Sequence, residues 1–428
     1  MAPLNPLAST ALAIALLTTA TASPSSVVKD YVTDNYNSTF REPQGILNHP
    51  YLVPAGPYDQ EWDWDSVFTG LALLPLGSAP YLSGSMKNFF EATNMSTGAV
   101  TICLDPSDPH PSCSSDPAAN AESGSHAKPL LVQGAWLSAS HEGDYDQFLE
   151  HRPAMVKLLS YWSTQRVTDT GLYTWHDQME SGADDLVTSP CPSPRSDCWS
   201  DEADANSLVA PDLLTFLIRE HRAYANFVDA WDGEGGDEAQ EHRGQAAEIG
   251  RVMVEQLWDE EEGTFRSFNA TSGEIIEKDV YNLAFPLFAG PDVLTDTQAQ
   301  ALVDRIFASD MMSAYGVKST SSNDEGYNNE PTLTPYSNWQ GPVWVVANAV
   351  ITYGLLDHGF VPEARDLAAR TAAVLEADIL ATGTWHECFD SSEGGGGRGL
   401  AADGFLSWNT LGYRLADDVE AGENPFAI

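Results

Sequence analysis

Apolar residues recur at spacings of three, four and seven through most of this chain, and that helical period constrains its fold more than any other feature. From Asp144 to Arg166, the residues Phe148, Met155, Leu158, Leu159 and Trp162 fall on one face of a helix. The same pattern covers Asn206 to Phe227, Glu238 to Trp258, Asp296 to Ala308, Trp339 to Leu356 and Pro362 to Ala381. Shorter stretches at Val27 to Phe40, Asp65 to Leu74, Tyr81 to Ala92, Pro129 to Ser140, Lys278 to Phe288 and Gly404 to Leu415 bring the candidate helices to about twelve. No convincing run of alternating strands interrupts them. Successive antiparallel helix pairs predict an all-α (α/α)6 toroid, six hairpins closed into a ring. Gly341 to Leu356 is apolar nearly all round, as an inner helix must be, whereas Glu238 to Trp258 carries a charged outer face. A helical solenoid would show a fixed-period repeat, and none is present.

A chain of 428 residues with 43% hydrophobic content can bury a large core. Its biased stretches, Pro106 to Asn120, Pro190 to Ser200 and Gly394 to Gly397, are too short to separate domains, so residues 23–428 read as one domain. Twenty basic against sixty-two acidic residues give a formal charge of −42, which repels nucleic acid and anionic membranes. Leu7 to Thr19 is an apolar run too short for a membrane span, and Ala20-Thr21-Ala22 has the small-x-small pattern of a cleavage site. Residues 1–22 are therefore expected to be a signal peptide and the protein to be secreted. Sequons at Asn37, Asn94 and Asn269 fit that expectation. Cys103 with Cys113, and Cys191 with Cys198, each bracket a short loop that a disulfide can close, leaving Cys388 as a buried thiol. No CxxC pair, no ligand-spaced histidines and no nucleotide-binding glycine loop occur, so neither a metal nor a cofactor is expected. Asn323-Asp324-Glu325 reads as an acidic surface loop rather than a calcium site.

Two carboxylate-bearing motifs lie far apart, Glu180-Ser181-Gly182-Ala183-Asp184-Asp185 and His386-Glu387-Cys388-Phe389-Asp390. Cleaving a glycosidic bond usually takes one protonated carboxylic acid to assist the leaving oxygen and one carboxylate to activate water or to attack. Asp184, flanked by Asp185 and Glu180, is expected to feel like charges that raise its pKa and keep it protonated. The plainer readings make Asp184 a helix cap, Glu387 a solvated loop residue and the Trp62/Trp64 pair simple packing.

The segments Glu61-Trp62-Asp63-Trp64-Asp65-Ser66, Glu180-Ser181-Gly182-x-Asp184, Tyr336-Ser337-Asn338-Trp339-Gln340-Gly341-Pro342-Val343-Trp344, and His386-Glu387 followed by Gly399 and Phe405-Leu406-Ser407-Trp408 occur in that order. Together they resemble the catalytic domain of glycoside hydrolase family 63, with the trehalases of family 37 as near relatives. The resemblance covers most of the chain beyond residue 22. It implies an inverting hydrolase of an α-linked glucose or mannose, with Asp184 as the general acid and Glu387 as the general base. It also implies that Trp62, Trp64 and Asp65 line the sugar subsite and that Gln133 contacts the sugar. Glu180, Trp339, Gln340, Gly341, Trp344, His386 and Trp408 are placed around the substrate on the same ground.

Three departures bear on the substrate. Gln340 stands where relatives commonly have arginine, which removes a fixed positive charge that an anionic aglycone such as glycerate would use. The arginine that tends to follow the first motif is displaced to Arg195, past an insertion bearing Cys191 and Cys198. The chain also lacks room for the large amino-terminal β-domain of the processing glucosidases, so a small disaccharide or glycoside is expected as substrate. Two other functions remain open. A sugar-binding protein without catalysis would keep the tryptophans but could lose either carboxylate. A polysaccharide lyase or epimerase on the same fold would favour basic residues around a uronate, and this chain is poor in them.

Overall fold

Six buried helical segments touch one another in a closed ring: Asp63–Ala72, Leu131–Glu142, Pro211–Asp232, Tyr281–Ala289, Val345–Asp357 and Ser407–Tyr413. The computed structural model describes residues 26–107, 125–176, 178–186, 207–331 and 337–428. The first five inner segments pack on outer segments that follow them in sequence. These are Ala79–Ala92, the continuous stretch Asp146–His151 and Arg152–Tyr161, Asp237–Leu257, Asp296–Ile306 and Val361–Thr382. The sixth, Ser407–Tyr413, takes Ser26–Asn35 from the other end of the described chain and so closes the (α/α)6 toroid.

Sequence explains which segments go inside. Val345–Asp357 buries every residue from Val345 to Leu355. Its polar members are satisfied within the core: Asn348 bonds to Thr371 and the amide of Val317, and Thr352 donates to the Asn348 carbonyl. Asp237–Leu257 instead buries one stripe, including Ala246, Ile249, Met253 and Leu257, and leaves its charged face to water. Two predicted inner helices lie where expected but wind as 3-10 helix, Tyr281–Ala289 and Ser407–Tyr413; in the first, Pro286 removes an amide donor from the interior. The helix expected from Trp339 begins only at Val345, because Val343 is extended and bridges to Phe389 and Lys318. The sequence pattern also missed Gln178–Ser181, Leu415–Ala421 and a set of antiparallel strand pairs of two to five residues.

Connections differ at the two ends of the ring. Turns from inner to outer segments are short, at residues 73–78, 143–145, 233–236, 290–295 and 358–360. Returns from outer to inner segments are long, at 93–130, 162–210, 258–280, 307–344 and 383–406. The long loops therefore gather at the amino-terminal ends of the inner helices. At the opposite end Phe426 packs on Phe68, Phe288 and Tyr353, with ring centres 5.6, 5.9 and 5.1 Å away. Buried Arg219 donates to the Phe288 and Phe426 carbonyls and pins that plug. No helix among the described residues is long and apolar enough to cross a membrane. The expected signal peptide at 1–22, together with Cys113, Cys191, Cys198, Arg195 and Tyr336, lies outside the described residues.

Candidate active site

Described residues of the long loops and of the inner segments line an open cavity of about 130 Å³. Its apolar wall is made by Tyr58, Trp62, Trp64, Trp339, Phe405 and Trp408, and its charged groups are Asp65, Lys128, Asp184 and Glu387. Trp62 and Asp65 come from the start of the first inner helix, Trp408 from the sixth. The short helix Gln178–Ser181 ends at Gly182, whose φ of +82° turns the chain so that Asp184 faces the cavity. A Cβ at Gly182 would stand 2.7 Å from both Lys128 Cε and the Trp64 ring, so only glycine lets this segment approach so closely. Glu387 lies on the hairpin His386–Phe389 with Gly399–Asp403, where the register shifts between His386 and Cys388. Such a bulge re-aims the side chain it carries.

Ser337 joins the two motifs. Its backbone amide donates to Asp184 Oδ2 at 3.3 Å and its hydroxyl to Glu387 Oε1 at 3.2 Å. Covalent geometry within one residue then keeps the two carboxylates within about 10 Å of each other. The Tyr58 hydroxyl donates to Glu387 Oε2 at 3.2 Å. Burial pushes the Glu387 carboxyl up to about 7, against the donors Ser337 and Tyr58. Burial first, then the nearby charges of Asp185 and Glu387, hold Asp184 well above the usual carboxylate range. Asp185 thus acts as the sequence predicts, while Glu180 is ion-paired with Arg166 at 2.9 Å. Asp65, bonded at 2.5 Å by the Ser407 hydroxyl, is also pushed by burial up to about 7. Three indoles of the wall, Trp62, Trp339 and Trp408, have ring N–H groups with no acceptor among the described residues.

Of the residues expected around a substrate, Trp62, Trp64, Asp65, Asp184, Trp339, Glu387 and Trp408 line this one cavity. Six others do not. Gln133 is buried, with its amide donating to the Pro129 and Phe216 carbonyls and accepting from Arg219, so the partner its polarity demanded is the protein itself. Glu180 is fully buried and accepts from the amides of His126 and His176 and from Arg166, which clamps the loops behind Asp184. Gln340 donates to the Asp185 carbonyl. A Cβ on Gly341 would stand 2.1 Å from the Asn328 carbonyl oxygen, so this glycine serves close packing. Trp344 lies beneath Trp339, stacked at 3.7 Å. His386 bonds to Asp378 at 3.0 Å and ties the hairpin to the outer helix Val361–Thr382.

The sequence reading missed Tyr58, Lys128 and Ser337. Lys128 left a usable signal, a lysine before an apolar run, which must find a counter-charge when that run is buried. Cys388 is buried and free, as expected, and Cys103 is not among the free cysteines. Among the described residues no group of three or more potential ligands could hold a metal ion.

Buried titratable groups give the fold a pH dependence. Asp65, Glu220 and Glu387 are each pushed by burial up to about 7, so the folded protein keeps protons that the unfolded chain releases near pH ~4. The stability they contribute is complete below that pH and is lost as pH rises through about 7. His126 and His221, which burial pushes down to about 3, act oppositely and lose stability as pH falls below ~6.5. Above pH ~6.5 only the carboxylates count, each at less than the full slope of roughly 1.4 kcal/mol per pH unit, which halves at about pH 7 and fades above it. The melting temperature is expected to fall by several degrees between pH 6.5 and 8, and a rise over that interval would count against these assignments.

A family model described as the mannosylglycerate hydrolase MGH1-like glycoside hydrolase domain matches residues 58–406. The chain belongs to that glycoside hydrolase family. This places the chain in family 63, related to the family 37 trehalases, as its motifs suggest. Mannosylglycerate hydrolase of Thermus thermophilus is 29% identical over 154 residues, which cover 36% of this chain and 34% of that enzyme. Periplasmic trehalase of Citrobacter koseri is 24% identical across 89% of this chain and 70% of its own length. The structure of the Thermus thermophilus family 63 mannosylglycerate hydrolase in complex with glucose superposes with a TM-score of 0.68 at 20% identity, covering 91% of this chain and 99% of that one. Neutral trehalase of Saccharomyces cerevisiae gives 0.65 at 16% identity, covering 88% and 76%. These structures share the toroid with this chain.

Proposed function

We propose that this glycoside hydrolase is an exported, single-domain inverting α-glycosidase that releases one glucose or mannose from a small, neutral glycoside. The observation that carries the reading is that Asp184 and Glu387, from motifs two hundred residues apart, meet in one cavity on either side of Ser337. Asp184, its pKa raised, keeps a proton to give to the leaving glycosidic oxygen. Glu387, fixed by Tyr58 and Ser337, takes a proton from water as that water attacks the anomeric carbon from the opposite face. The indole faces supply stacking area and Asp65 accepts hydrogen bonds from hydroxyls.

The size of the cavity, about 130 Å³, favours one sugar ring over several. Lys128 is the cation of the lining among the described residues, and Asp63 neutralises it, so an anionic aglycone such as glycerate meets no free counter-charge. Export is supported by the formal charge of −42 and by exposed sequons at Asn37 and Asn94. A non-catalytic sugar-binding role on the same fold would leave α-glycosides intact. Incubation with a panel of α-linked glucosides and mannosides, followed by NMR of the first product, tests the proposal. The β-anomer is expected first; the α-anomer, or no hydrolysis of any member of the panel, overturns it.

A further inference from the structure

One lysine stands in the wall of the cavity with more donors than the described residues use. Lys128 is 2% exposed, and its ammonium lies 3.2 and 3.3 Å from the two oxygens of Asp63 and 4.8 Å from the centre of the Trp64 ring. Both distances exceed the 2.7–2.9 Å usual for a charge-assisted bond. Asp63 is engaged elsewhere, accepting the backbone amides of Trp64 at 2.7 Å and Lys128 at 2.8 Å. An ammonium carries three N–H donors, and one carboxylate lying to one side cannot take all of them. On one side the stem lies against Gly182, where a Cβ would stand 2.7 Å from its Cε. The other charged groups of the lining, Asp65, Asp184 and Glu387, accept hydrogen bonds when ionised.

We propose that Lys128 is a specificity-determining residue of the sugar pocket, donating a hydrogen bond from its ammonium to one hydroxyl oxygen of the bound hexose. This rests on the reading of the cavity as a sugar site. Carboxylates alone register hydroxyl hydrogens; the ammonium registers an oxygen. A hydroxyl that accepts from Lys128 while donating to a neighbouring carboxylate is fixed in direction, which distinguishes an axial from an equatorial substituent at that carbon. A hydrogen bond to a charged group of this kind corresponds to roughly a 10- to 100-fold effect on affinity.

The test is equilibrium binding of glucose, mannose and their 2-, 3-, 4- and 6-deoxy analogues, followed by the fluorescence of the cavity tryptophans. Wild-type protein is compared with Lys128→Met and with the double variant Lys128→Met/Asp63→Asn, which removes the carboxylate that the single change leaves unpaired. Wild type is expected to lose roughly 10- to 100-fold for one deoxy position. The variants should lose a similar factor for the parent sugar and no longer distinguish that deoxy analogue. Variants that bind the parent sugar as wild type does, or that keep the full deoxy pattern, make Lys128 only the counter-ion of Asp63 and leave the glycosidase reading standing. A wild-type protein that binds every deoxy analogue as tightly as its parent overturns the proposal without any variant. Failure of wild type to bind either hexose overturns both the proposal and the sugar-site reading.

Discussion

Asp184→Asn and Glu387→Gln are each expected to lower kcat/KM by roughly 10²- to 10⁴-fold while leaving the fold intact, the loss usual for a general acid or base. Both changes keep shape and remove only ionisation. In Asp184→Asn the side-chain amide oxygen can still accept from the Ser337 N–H, and in Glu387→Gln it can still accept from Tyr58 or Ser337, so the donors around each position keep an acceptor. The two variants differ on an aryl α-glycoside whose leaving group is a weak base. Such a leaving group departs without protonation, so Asp184→Asn should recover much of its activity there and Glu387→Gln none. Equal losses for Asp184→Asn on good and poor leaving groups would sink its role as acid, and rescue of Glu387→Gln by the aryl substrate would sink that of the base.

Trp344→Ala is expected to destabilise the protein by about 3–5 kcal/mol, the usual result of truncating a buried aromatic. Trp344 is fully buried, stacks on Trp339 at 3.7 Å and 4°, and donates its ring N–H to the Asn338 carbonyl at 3.1 Å. It supports the cavity from below, and the cavity left by alanine would let Trp339 sink. Trp62, half-buried in the cavity wall, should behave in the opposite way. Trp62→Ala should weaken sugar binding with little effect on thermal unfolding. A melting temperature for Trp344→Ala close to that of wild type, or an equal loss of stability for the two variants, would overturn this division.

That division was invisible in the sequence, where both tryptophans sit in motifs of the same kind. The difference is geometric: Trp62 opens onto the space between loops, and Trp344 lies one ring behind it, under Trp339. Gln133, Glu180 and His386 show the same limit. A polar residue in an apolar setting must find a partner, but spacing along the chain does not say whether that partner is a ligand, a carbonyl from another helix or an arginine. Tyr58 escaped notice for the converse reason, since it reaches Glu387 across 329 residues of chain and no local pattern marks it.

By itself the sequence determined the helical segments, their pairing across short turns and the two carboxylates that now share a cavity. These follow from local physics: the 3.6-residue period reports which face of each helix shuns water, and short turns force neighbours to run antiparallel. Tertiary structure alone decided which of the acidic and aromatic residues face the cavity, that Asp65 and Glu387 are pushed up by burial, and where Lys128 points. The reason is that burial and charge proximity, which set pKa values and leave donors uncommitted, arise only where loops distant in sequence converge over the amino-terminal ends of the inner helices.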